Sequence, residues 1–176
     1  GSMGSAGQRC MAASVAVGVA NIDPIIQQLV KEAKQFRLGI DMGTIVSKAA
    51  FDRIKKYIDE AEKMGADVLI DGRTVVPPKD YENGYWLGVT ILDNVDSKWP
   101  CAQEEIFGPV LSIIRTETLE KAMHIENENI YGNAAAVFTT SGEIAKTISE
   151  KASAGMIGIN IGVPVPREPY SFGGWN

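Results

Sequence analysis

Two short segments of this chain carry side chains that could do chemistry together. Near the start, Cys10 directly follows Arg9, and a thiol beside a cation ionises more readily to the nucleophilic thiolate. Much later, Glu105 and Phe107 stand two residues apart, just before a Gly-Pro turn. A carboxylate accepts hydrogen bonds from two hydroxyls and an aromatic ring supplies an apolar platform, a combination suited to a cofactor site. Cys10 read alone also fits a small buried apolar residue.

The composition narrows the class of protein. The hydrophobic fraction of 45% over 176 residues is enough to fill a core, and the formal charge of -5 argues against nucleic-acid binding. Cys10 and Cys101 are far apart and lack the spacing of a zinc site or a disulfide framework, so we expect no metal. Neither a signal peptide nor a membrane-spanning run is evident, and free thiols favour a reducing, cytoplasmic location.

Strand-like and helix-like segments alternate along the chain. This alternation predicts an α/β fold with a mostly parallel sheet and helices on both faces, in one domain over residues 4–176. Residues 1–3 look like a tag remnant and are set aside. The predicted strands are 14–20, 68–70, 85–91, 110–115, 134–139 and 156–161, and the predicted helices are 24–36, 47–64, 118–127 and 141–154.

Four motifs together carry a family resemblance. They are Gly7-Gln8-Arg9-Cys10, Glu104-Glu105-Ile106-Phe107-Gly108-Pro109, Tyr131-Gly132-Asn133 and Ser171-Phe172-Gly173-Gly174. The set resembles the aldehyde dehydrogenase superfamily, and the resemblance covers residues 4–176. The blocks at 4–12, 81–88, 157–166 and 171–176 make the chain most similar to the CoA-acylating methylmalonate-semialdehyde (malonate-semialdehyde) dehydrogenases.

The resemblance implies a role for each site residue. Cys10 would be the nucleophile that forms a thioester with the oxidised aldehyde. Arg9 would receive the substrate carboxylate or stabilise the thiolate, and Phe172 would line the aldehyde tunnel. Glu105 would bind the nicotinamide ribose of NAD, and Phe107 would position the nicotinamide ring. Coenzyme A would then take the acyl group.

The resemblance also implies missing parts. Members of the family carry an NAD-binding domain before this cysteine and an oligomerisation strand after the last residues of this chain. We therefore expect a catalytic-domain portion that is inactive alone, that needs the NAD-binding domain, and that self-associates as a homo-oligomer.

Three alternatives stay open. The chain could belong to a hydrolytic aldehyde dehydrogenase with another substrate, because the residue that would activate water lies upstream. It could be a cysteine hydrolase that pairs Cys10 with His124, the only histidine. It could also be a non-catalytic fragment that serves in assembly.

Overall fold

The computed structural model describes residues 1–173, which form two compact units. We call Ser2–Thr116 the sheet unit and the residues from Glu117 onward the second unit. The last part of the Ser171–Gly174 motif, Gly174, lies outside the described residues, as do Trp175 and Asn176.

The sheet unit contains one four-stranded sheet in the order β1-β4-β3-β2. Strand β4 pairs parallel with both β1 and β3, and β2 runs antiparallel to β3. The first five residues of β4 are buried, because this strand has a neighbour on each side. The elements are β1 (Val15–Val19), α1 (Asp23–Ala33), α2 (Lys48–Met64), β2 (Asp67–Ile70), β3 (Thr90–Asp93), α3 (Pro100–Gln103) and β4 (Val110–Thr116).

Helix α2 begins and ends where its sequence signals lie. The Ser47 hydroxyl accepts a hydrogen bond from the Ala50 N–H at the first turn. Gly65 ends the helix with a φ of 109°, a left-handed conformation that glycine adopts without a steric penalty. Ile54, Ile58 and other residues at helical spacing form the buried face. The predicted helix over 47–64 is therefore confirmed.

The second unit contains two parallel strands and two helices. Thr118 and Ser141 cap the helices with their side-chain oxygens, as their positions in the sequence predict. The elements are α4 (Leu119–Asn127), β5 (Ala134–Val137), α5 (Gly142–Lys151) and β6 (Met156–Ile159). The α/β class with mostly parallel pairing is thus confirmed, although β5 and β6 form a sheet of their own.

The predicted strand over 85–91 is wrong over its first five residues, 85–89. Strand β3 begins only at Thr90, because the backbone before it is hydrogen-bonded elsewhere. The Gly88 N–H donates to the Gly72 carbonyl at 2.9 Å, and the Trp86 side chain donates to the Tyr81 carbonyl at 2.8 Å. These bonds fold the segment into a loop. No helix among residues 1–173 has the length and hydropathy that crossing a membrane requires.

An ion-pair network ties the carboxyl ends of β3 and β4 together. Arg115 donates to both oxygens of Asp93, at 3.0 and 2.8 Å, and to Asp23 at 2.7 Å. The Asp93 side chain is only 5% exposed. Burial alone would raise the pKa of Asp93, but the bonds from Arg115 and from the Asn94 N–H outweigh it and lower the pKa below its ordinary value of 3.8.

Replacing Asp93→Asn tests this network. A carboxylate with a lowered pKa stabilises the fold above its ordinary pKa, and this contribution is lost as the pH falls below 3.8 through the lowered value. We expect Asp93→Asn to lower the free energy of unfolding by about 2 kcal/mol at neutral pH. On acidification, the free energy of unfolding of this variant should fall less than that of the wild type. Urea unfolding followed against pH measures both effects.

The matched control is Asp52→Asn, which removes an exposed pair with Lys48 and should change stability by less than about 0.5 kcal/mol. Equal acid sensitivity of the wild type and Asp93→Asn would contradict the role given to the network.

Candidate active site

Cys10 is an exposed thiol in a tight turn just before β1. The turn is closed by the Ala12 N–H, which donates to the Arg9 carbonyl at 3.0 Å. The other cysteine, Cys101, is only 2% exposed, and burial raises the pKa of its thiol. Cys10 is therefore the thiol that a substrate can reach.

A left-handed turn precedes Cys10. Ser5, Ala6 and Gly7 have φ values of 53°, 55° and 70°, and the Gln8 N–H closes the turn on the Ser5 carbonyl at 3.1 Å. This conformation costs about 1–2 kcal/mol for each residue with a Cβ. Such strain persists only where neighbouring structure enforces it, and it is common at functional sites.

Gly7 brings this turn against the loop before β4. A Cβ at Gly7 would lie 1.9 Å from the Gly108 carbonyl oxygen and 2.4 Å from its carbon, so the two backbones touch. The pairing of β1 with β4 agrees with this contact, because the two strands are parallel neighbours. The segments that lead into them, which hold Cys10 and Glu105–Phe107, therefore lie at the same edge of the sheet.

The loop before β4 presents two side chains around a buried one. Ile106 is fully buried, whereas Glu105 is exposed and Phe107 is partly buried. Phe107 has a φ of 54°, another left-handed residue. Among residues 1–173, no cation pairs with the Glu105 carboxylate, which leaves its oxygens available to accept bonds from hydroxyl groups. The binding of a ribose diol by Glu105 and of the nicotinamide ring by Phe107 stays a prediction.

Helix α2 holds this loop from one side. Arg53 donates to the Glu105 carbonyl at 3.2 Å, and one turn later Tyr57 donates to the Glu104 carboxylate. The bond to Glu104, together with burial, raises the pKa of Tyr57, so the phenol keeps its proton. The Ile54 side chain, on the same helix, packs against Gly108: its Cδ1 lies 2.7 Å from the position that a Cβ at Gly108 would occupy.

Arg9 is exposed, and no carboxylate pairs with its guanidinium within the described part of the chain. Its Nη1 lies over Gly4, at 2.8 Å from the place where a Cβ would be. An unpaired guanidinium on the residue next to Cys10 in sequence can receive a carboxylate through two parallel hydrogen bonds. The alternative interpretation of Arg9 as one half of a surface ion pair finds no partner among residues 1–173.

Phe172 and His124, the remaining predicted residues, belong to the second unit, and so does Asn160. Phe172 is 53% exposed in the segment after β6, and its role in an aldehyde tunnel stays a prediction. His124 lies on α4 with its Nε2 3.3 Å from Glu128, one turn away on the same helix. Asn160 exchanges two hydrogen bonds with the backbone of Thr139, which is a structural role. The hydrolase alternative with His124 stays untested.

Several residues that build the site carried no assigned role in the sequence analysis. Gly7, Gly108, Arg53 and Tyr57 position the two loops, and Gln8 contacts a segment far along the chain. The glycines stand inside the motifs and could have signalled a close backbone approach. Arg53 and Tyr57 are one turn apart on α2, but nothing in the sequence indicates which loop they meet. Residues 1–173 contain no cluster of three side chains able to hold a metal ion.

Comparison with known proteins agrees with the family resemblance that the sequence motifs indicate. The model of the aldehyde dehydrogenase family matches residues 1–176. The malonate-semialdehyde dehydrogenase of Pseudomonas aeruginosa is 41% identical over 98% of this chain. The acylating methylmalonate-semialdehyde/malonate-semialdehyde dehydrogenase of Rattus norvegicus, a mitochondrial protein, is 43% identical over 97% of the chain.

Solved structures agree. A Sinorhizobium meliloti protein assigned to the methylmalonate-semialdehyde dehydrogenases, determined in complex with NAD, superimposes with a TM-score of 0.94 at 39% identity and covers 98% of this chain. The chain spans about a third of the length of these proteins: 36% of the Pseudomonas protein, 33% of the rat protein and 36% of the Sinorhizobium structure.

Replacing Gly7→Ala tests the contact between the two loops. The new Cβ would overlap the Gly108 carbonyl, and alanine would have to adopt the left-handed backbone conformation of Gly7. We therefore expect the free energy of unfolding to fall by at least about 3 kcal/mol. Any variant that still folds should have separated loops and little Cys10-dependent chemistry. Thermal unfolding and the rate of Cys10 acylation by an activated ester measure the two effects.

The matched control is Gly43→Ala, because a Cβ at this exposed glycine meets no atom within 4 Å. If Gly7→Ala unfolds at the same temperature as Gly43→Ala, the close approach is not a constraint on the fold.

Proposed function

This chain belongs to the aldehyde dehydrogenase family, and we propose that it carries the thiol-acylating part of an NAD-dependent, CoA-acylating oxidation of malonate or methylmalonate semialdehyde. The supporting observation is the backbone contact of Gly7 with Gly108, which joins the Cys10 turn to the loop of Glu105 and Phe107. The semialdehyde assignment draws on relatives such as the Pseudomonas and rat proteins.

The chemistry begins at the Cys10 thiolate. Its sulfur attacks the aldehyde carbonyl carbon, a C–S bond forms, and the carbonyl oxygen becomes the oxyanion of a tetrahedral thiohemiacetal. The Cys10 backbone N–H is one donor for this oxyanion, and a donor from elsewhere would complete the pair. Loss of a hydride from the same carbon restores the carbonyl and leaves a thioester on Cys10. The thiolate of coenzyme A then attacks the thioester carbon, a new C–S bond forms, the C–S bond to Cys10 breaks, and Cys10 leaves as the thiolate.

The other predicted site residues each have a task in this scheme. Glu105 would accept hydrogen bonds from the hydroxyls of the nicotinamide ribose, and Phe107 would support the nicotinamide ring. When bound, NAD accepts the hydride. Arg9 would bind the substrate carboxylate, the group later lost as carbon dioxide. Phe172 would line the aldehyde path.

The length of this chain relative to its relatives supports a separation of the catalytic thiol and NAD binding into two domains. Because the chain spans about a third of its relatives, we propose that it is the catalytic domain and that NAD is bound together with an NAD-binding domain not included in residues 1–176. Self-association as a homo-oligomer is part of the same proposal, and exposed apolar side chains such as Ile25 support it. The unpaired, exposed Cys10 fits a reducing compartment such as the cytoplasm.

Oxidation of malonate and methylmalonate semialdehyde by the natural polypeptide tests the function. With NAD and coenzyme A present, we expect NADH and an acyl-CoA in equal amounts, and Cys10→Ala should abolish both because no thioester can form. Cys101→Ala is the matched control and should keep the activity, since Cys101 is buried away from solvent.

The products separate the alternatives. A free acid in place of acyl-CoA would favour the hydrolytic dehydrogenase, and full activity of Cys10→Ala would overturn the proposal. The 176-residue chain alone should not bind NAD at micromolar concentration, and binding at that level would contradict the division into two domains.

Arg9→Met tests recognition of the substrate carboxylate. Loss of a charge-assisted bidentate contact should raise KM for the semialdehyde by about 10- to 100-fold, while KM for an uncharged aldehyde such as propanal stays unchanged. Steady-state kinetics with both aldehydes measure the difference. An equal loss with both aldehydes would assign Arg9 to thiolate stabilisation instead. Arg37→Met, which removes an exposed arginine paired with Asp41, is the control.

A further inference from the structure

Gln8 is the side chain that ties the nucleophile turn to a distant part of the sheet unit. Its Oε1 accepts a hydrogen bond from the Val46 N–H at 2.9 Å, and its Nε2 donates to the Thr44 carbonyl at 3.1 Å. The same Nε2 lies 3.2 Å from the Ser5 carbonyl within the left-handed turn. One carboxamide thus joins the turn before Cys10 to a strip of backbone more than thirty residues away.

The backbone that receives Gln8 is itself fixed. Ile45, between the two contact residues, is 1% exposed, and its N–H donates to the Tyr85 carbonyl at 2.8 Å. Ser47 follows directly and caps helix α2. The Gln8 amide therefore bonds to a strip that is held by the core on one side and by the start of a long helix on the other.

The amide group suits this position for a physical reason. A carboxamide offers a donor and an acceptor at a fixed separation in one plane, and it can satisfy a carbonyl and an N–H of the same strip together. A carboxylate would keep the bond from Val46 and lose the bond to Thr44. A methionine of similar length would lose both.

Gln8 lies between the Gly7 contact and the turn that holds Cys10, so its bonds act on the part of the chain that places the thiol. Gly7 touches Gly108 on one side of Gln8, and the Arg9–Ala12 turn with Cys10 begins on the other. The contact at Gly7 fixes where the turn starts, but a single contact leaves rotation of the following residues possible. The two bonds of Gln8 are the second attachment, and they remove that rotation.

We propose that Gln8 is a positioning residue, which sets the direction of the Cys10 thiol through its bonds to the backbone of Thr44 and Val46. This inference rests on the proposed function, in which Cys10 attacks a carbonyl carbon. Attack on a carbonyl requires the sulfur, the carbon and the oxyanion donor in one arrangement, whereas alkylation of a thiol by a small reagent requires only access.

The experiment compares these two reactions in the natural polypeptide. With p-nitrophenyl acetate, the Cys10 sulfur attacks the ester carbon, the C–O bond breaks, and p-nitrophenolate leaves with the electron pair, so its absorbance reports the formation of a thioester. Iodoacetamide alkylates the same sulfur and is followed by intact mass. Both rate constants are taken on the high-pH plateau, where the thiol is fully ionised.

We expect Gln8→Met to lower the acylation rate constant about tenfold or more and to change the alkylation rate constant less than twofold. Gln8→Glu keeps one of the two bonds and should fall between the wild type and Gln8→Met in acylation. Gln28→Met, which removes a carboxamide from the exposed face of α1, is the matched control and should change neither rate. Cys10→Ala gives the background of both reactions.

Each outcome has a defined meaning. Equal losses in acylation and alkylation, or no loss in either, would overturn the positioning role while leaving the proposed function intact. A wild type with no Cys10-dependent acylation would overturn the proposed function and this inference with it. If thermal unfolding shows that Gln8→Met does not fold, Gln8→Glu decides the question by the same ratio of the two rates.

Discussion

The site depends on the close approach of two backbones that only glycine permits. Gly7 and Gly108 touch without side chains between them, and the left-handed conformation at Gly7 directs the chain toward the Cys10 turn. A nucleophile and the loop that would hold a dinucleotide need to be placed to within a fraction of an ångström. Contact between main chains serves this need well, since backbone positions vary less than side-chain rotamers.

The rest of the sheet unit converts that contact into a rigid arrangement. The parallel pairing of β1 with β4 brings both loops to one edge, and both loops are also bonded to α2 or to the strip of backbone that leads into it. The strip before the helix receives Gln8, while Arg53 and Tyr57 on the helix hold the loop of Glu105. Because α2 and the strip that leads into it hold both loops, a shift of this helix would move the thiol and the loop of Glu105 together and would preserve their separation.

The sequence predicted the parts of this site that are local and left out the parts that are not. The motif around Cys10, the helix over 47–64 and its two caps are visible over a few residues, because turn chemistry and helical periodicity act at short range. The partner of Gln8 was invisible, since an amide can bond to any backbone. The strand predicted from residue 85 failed for a related reason. Its pattern fits a strand, but Gly88 is bonded to Gly72 in a loop, and only the tertiary structure decides that competition.

The place of β4 between β1 and β3 has a consequence for how the molecule is made. Strand β1 cannot find its neighbour until the ribosome has released almost a hundred further residues, because β4 is the last strand of this sheet to be synthesised. Contacts between distant segments form late, since the chain must first lose the entropy of closing a long loop. A nascent chain would therefore carry its sulfur without the loop of Glu105, and the active arrangement would arise in a single step when the central strand is inserted.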